Sequence, residues 1–77
     1  MTALSPQALM VLVKVMEREV SRLEAECEAA EESDAADLEE ILLDYSQVRE
    51  EVRQAYAAAS AGADNLPSLA ELLRRMG

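Results

Sequence analysis

The sequence predicts an all-α fold: an antiparallel two-helix hairpin, coiled-coil-like, with a short third C-terminal helix packed over its open end. Three observations carry this. Apolar residues recur in alternating steps of three and four along two stretches of equal length, the spacing of helices that each bury one seam. A polar segment rich in helix-capping residues separates the two stretches. Finally, folding the chain at that segment brings the two seams level along their whole length.

The first helix, expected over residues 6 to 31, starts at Ser5-Pro6. The serine hydroxyl caps free backbone amides, and proline tolerates the first helical position because the amide it lacks has no helical partner there. Its seam is Leu9, Val13, Met16, Val20, Leu23, Cys27 and Ala30. The turn is expected over residues 32 to 35, where Ser33 and Asp34 read as capping residues. A second helix over residues 36 to 61 follows, with seam Leu38, Ile41, Tyr45, Val48, Val52, Ala55 and Ala59. Gly62 suits a left-handed cap after it. The hairpin then pairs Leu9 with Ala59 at its open end, Val20 with Val48 in the middle, and Ala30 with Leu38 at the turn.

A loop over residues 62 to 67 leads to a third helix over residues 68 to 76. There Ser68-Leu69-Ala70-Glu71 forms a capping box, and Arg74 and Arg75 complement the dipole at the far end. Its apolar residues Leu69, Leu72, Leu73 and Met76 need a surface. Residues 8 to 16 are apolar nearly all round, so the helix is expected over the open end, near Leu12 and Val15 or near Met10 and Tyr56.

All of this is one domain, since 77 residues bury a modest core and rely on packing, staples or a partner. Staples are missing: Cys27 is the one cysteine and there is no histidine, which removes an internal disulfide and the usual zinc ligand sets. No metal or cofactor site is expected. Met1–Gln7 has no basic leader segment and the apolar run after it is short, so neither an export signal nor a membrane span is expected, and the location is cytoplasmic.

Charge is the strongest irregularity. Residues 24 to 44 hold ten acids and no base, while the remaining chain has six acids and seven bases. The turn end is therefore strongly negative and the rest nearly neutral, so nucleic acid and anionic membranes are repelled on average. With no histidine, no glycine-rich phosphate loop and no tuned nucleophile, catalysis is not expected and no catalytic residue is assigned.

These features predict a non-enzymatic protein–protein interaction module, a small adaptor, chaperone or regulator. Its partner is another protein or a second copy in a homodimer, with neither direct nucleic-acid binding nor membrane contact. The candidate surface combines a partly apolar flank, Met10, Leu42 and Tyr56, beside an expected Glu17–Arg49 ion pair, with the acids Glu26, Glu31, Asp37, Glu40 and Asp44. Apolar stripes rimmed by charge mark association surfaces. The alternatives are an acidic charge mimic that occupies the nucleic-acid-binding surface of another protein, or a structural subunit of a larger assembly.

Overall fold

Ser5 starts the first helix as its sequence requires: its side chain accepts a 3.1 Å hydrogen bond from the Ala8 amide, with Pro6 at the first helical position. In the computed structural model, which describes residues 4–76, α1 spans Pro6–Ala29, α2 Glu32–Ser60 and α3 Leu69–Met76. Residues 1–3 and 77 lie outside that range, so the reading of Met1–Gln7 falls partly on undescribed chain. The described residues are all-α, and α1 and α2 form the expected hairpin with α3 at its open end.

The connection is shorter and earlier than expected. Ala30 and Glu31, both extended (φ −76°, ψ 150° and φ −72°, ψ 157°), break the helix between α1 and α2. Ser33 and Asp34 lie inside the first turn of α2, where the Asp34 and Ala35 amides each donate to the Glu31 carbonyl at 2.9 Å. Glu32 and Asp34 sit beside the positive end of the α2 dipole. A capping hydroxyl or carboxylate is worth only ~1 kcal/mol, less than the extra main-chain bonds gained by starting the helix early.

At the other end of α2, Gly62 does not adopt a left-handed conformation; among the described residues none has positive φ. The chain leaves the helix through right-handed turns instead, with Ala61 donating to Ala57 and Ala63 to Ser60.

The core sits at the open end. Leu9, Val13, Tyr56 and Leu72 are buried against one another, with Met10, Leu12, Val52, Ala59, Leu69, Leu73 and Met76 packed around them. Of the two expected positions for α3, it takes the one near Met10 and Tyr56, and Val15 stays exposed. Ser68 accepts from the Glu71 amide at 3.2 Å, the serine half of the capping box.

Towards the turn the α1 seam holds, with Val20 and Leu23 buried. The α2 seam does not. Ile41, Tyr45 and Val48 are exposed at 43%, 38% and 44%, and α2 instead turns Leu42, Ser46, Arg49, Arg53 and Tyr56 inward. This is a rotation of about one residue position. Its cause is at the open end: Tyr56, 0% exposed, buries the ~150–250 Å² typical of an aromatic side chain, and Arg53 beside it reaches a carboxylate on α1. The extents of 47 × 31 × 13 Å make the molecule a flattened plate, thin enough that an edge of α2 is left outside.

Candidate functional site

Two surfaces follow from that arrangement. At the turn end, all ten acids of residues 24–44 are exposed. The candidates Glu26, Glu31, Asp37, Glu40 and Asp44 therefore face water, Glu26 with an ion pair to Arg22 at 2.7 Å. Arg22 also holds Glu19, whose pKa is lowered by that hydrogen bond. Among the described residues no group of three or more histidine, cysteine, aspartate or glutamate side chains is gathered closely enough to hold a metal ion.

The apolar candidates are dispersed by the rotation of α2. Tyr56 is a core residue, and its hydroxyl donates a 2.6 Å hydrogen bond to the Pro67 carbonyl. Met10 is half-buried against the α3 cluster and Leu42 half-buried on the inner face of α2. Met10, Leu42 and Tyr56 therefore do not make one exposed stripe, because a tyrosine ring inserted between three helices cannot also line an outer flank. The expected partner of Glu17 changes as well: Glu17 bonds Arg53, one helical turn beyond Arg49.

What lies outside instead is the displaced seam. Val15 and Met16 of α1, with Tyr45 and Val48 of α2, line an open groove of about 330 Å³, with Glu19 at its edge. Val11 and Ile41 are also exposed. The outer spacing of α2 residues Ile41, Tyr45 and Val48 was visible in the sequence as a seam; which neighbour it serves was not, since periodicity marks an apolar face without saying what covers it.

Cys27 is half-buried near the turn. Desolvation, then Glu39, Glu26 and Glu24, push its thiol above the ordinary value, the opposite of what a nucleophilic cysteine needs.

A small helical plate with one heavily acidic end and an uncovered apolar groove is a protein-interaction module. Residues 2–72 match the family described as "T6SS, Immune protein Tsi2-like", and the chain belongs to that family. No curated protein and no solved structure matches it. Among the described residues no helix is long and apolar enough to cross a membrane.

Proposed function

We propose that this chain is a non-enzymatic immunity protein that binds a protein toxin of the type VI secretion system and holds it inactive. The observation that carries this is the family match over residues 2–72. The surface chemistry supports it: an immunity protein acts by occupying its toxin, and the chain offers ten exposed carboxylates on one end with which to do so. Glu26, Glu31, Asp37, Glu40 and Asp44 form the docking surface for a basic region of the toxin. Their charge steers encounter and fixes orientation more than it sets affinity.

The second copy is the other partner. Two chains meet along the groove of Val15, Met16, Tyr45 and Val48, covering the seam that α3 leaves open; pairing two hairpins in this way makes a four-helix bundle. The cytoplasm is the proposed compartment, supported by a single free, half-buried thiol.

The test is co-expression with a toxin of the type VI secretion system from the same host. Rescue of growth together with a co-purifying complex is the expected result; a toxin that still kills, with no complex, overturns the reading. A combined Glu26→Gln, Glu31→Gln, Asp37→Asn, Glu40→Gln and Asp44→Asn variant is expected to lose most of the salt dependence of binding. A second reading of the same surface, favoured by its unbroken acidity, is that it stands in for nucleic acid in the toxin's groove. In that case an oligonucleotide competes with the chain for the toxin.

A further inference from the structure

At the open end, cations gather around a pocket of about 620 Å³ between α1, the segment after α2, and α3. Three cations line it, Lys14, Arg18 and Arg75, and no acid does. Its apolar wall is Met10, Leu66, Leu72 and Met76. Lys14 and Arg18 stand four residues apart on α1, a spacing at which like charges repel by a few tenths of a kcal/mol. Neither has a carboxylate partner among the described residues, whereas Arg22, Arg53 and Arg75 each do. Glu17, between them in sequence, is committed to Arg53. The Arg75–Glu71 pair at 2.9 Å is exposed on both sides, and such pairs exchange readily.

We propose that this pocket binds an acidic-apolar peptide segment, a carboxylate flanked by aliphatic side chains, presented by a protein partner. The cations take the carboxylate and the wall takes its aliphatic neighbours, with Met10 and Met76 adapting in shape. A long polyanion fits less well, because the ten-acid end of the same small molecule repels it. Only the identification of that partner as the toxin rests on the immunity reading; recognition by the pocket does not.

The test is a nuclear magnetic resonance titration of the full chain with N-acetyl-Leu-Glu-Leu-amide, its glutamine counterpart, and inorganic phosphate. The glutamate peptide is expected to shift amides around Met10, Lys14, Leu72 and Met76, and to bind at least threefold more tightly than the glutamine peptide. A Lys14→Gln, Arg18→Gln variant is expected to keep the melting midpoint of the parent chain and to weaken binding at least fivefold. Arg74→Gln, outside the pocket, is expected to leave it unchanged. Shifts scattered over the molecule, equal binding of the two peptides, equal binding of phosphate at the same amides, or equal weakening by Arg74→Gln would each overturn the proposal. Because the probe contains no toxin, failure here and failure of toxin rescue are separate results.

Discussion

Glu17 and Arg53 face each other across the hairpin in a two-pronged ion pair, with Arg53 Nε 2.6 Å from Glu17 Oε2 and the second nitrogen 2.7 Å from Glu17 Oε1. The Arg53 side chain is 26% and the Glu17 side chain 15% exposed, so the pair is partly desolvated and geometrically fixed, unlike the outer Arg22 and Arg75 pairs. That hydrogen bond is the main reason the Arg53 guanidinium is held above its ordinary pKa. Glu17→Gln and Arg53→Lys are each expected to destabilise the fold by ~1.5–3 kcal/mol, the range for hydrogen bonds to charged groups. Arg49 is the control, since its Nε is buried and has no partner among the described residues. Arg49→Leu removes an unsatisfied donor and is expected to cost at least ~1 kcal/mol less than Arg53→Leu. Denaturant unfolding of the four variants reads all of this, and equal losses at positions 49 and 53 would contradict it.

Tyr56 ties α3 to the hairpin through Pro67. Tyr56→Phe keeps the ring and removes the hydroxyl, leaving the Pro67 carbonyl unpaired at a cost of ~1 kcal/mol. Faster amide exchange in α3 than in α1 is expected to accompany the loss. The same residue sets an alkaline limit. Burial pushes the phenol above its ordinary value, with Arg75 opposing and Glu71 adding to the shift. The folded chain thus holds this proton more tightly than the unfolded one. Its contribution is complete below pH ~10, the unfolded value, and is lost as pH rises through the folded value. Melting midpoints measured upward from pH 9 are expected to fall, and Tyr56→Phe to flatten that fall.

These two contacts also explain how much of the molecule was legible beforehand. The Ser5-Pro6 start, the α1 seam and a third helix over the open end depend on local chemistry and periodicity, which a sequence displays directly; which of its two candidate positions α3 takes is decided by packing around Tyr56. The facing side of α2 does not. Ile41, Tyr45 and Val48 form a better apolar seam than Leu42, Ser46 and Arg49, yet α2 turns the second set inward. The choice is made at one end, by Tyr56 entering the α1–α3 junction and Arg53 finding Glu17, and a rigid helix carries that rotation along its length. The acids at positions 26, 31, 37, 40 and 44 were readable as a surface because charge seldom enters a core.

Gly62 illustrates a smaller misreading with a practical consequence. Its φ is not positive, and a Cβ added there meets nothing within 4 Å. Gly62→Ala therefore keeps the native backbone while narrowing the unfolded ensemble, and is expected to stabilise by ~0.4–1 kcal/mol. A lower unfolding midpoint would show that the chain needs glycine's freedom at this position.

Cys27 offers a chemical readout of the acidic end. Its thiol is raised by desolvation and by Glu39, Glu26 and Glu24, so little thiolate is present at neutral pH. Alkylation by iodoacetamide at pH 8 is expected to be several-fold slower than for an unstructured cysteine peptide. Glu26→Gln with Glu39→Gln is expected to recover part of the difference, while urea recovers all of it. A wild-type rate equal to that of the peptide would mean that the thiol is neither shielded nor surrounded by negative charge.

The displaced seam makes the proposed self-association separable from folding. Val15 and Val48 are exposed and line the same groove, so a charge placed there stays in water within a single chain and is expected to cost less than ~0.5 kcal/mol, the usual bound for surface changes. In a pair of hairpins joined along that groove, the same lysine is buried against apolar surface without a partner, which is strongly unfavourable. Light scattering of the purified chain is expected to give twice the mass of one copy, and Val15→Lys with Val48→Lys to return it to one. The double variant should unfold in a transition independent of protein concentration, whereas the wild-type midpoint rises with concentration as mass action requires. A wild-type chain that scatters as one copy at high concentration would overturn the proposed self-association along the groove of Val15, Met16, Tyr45 and Val48.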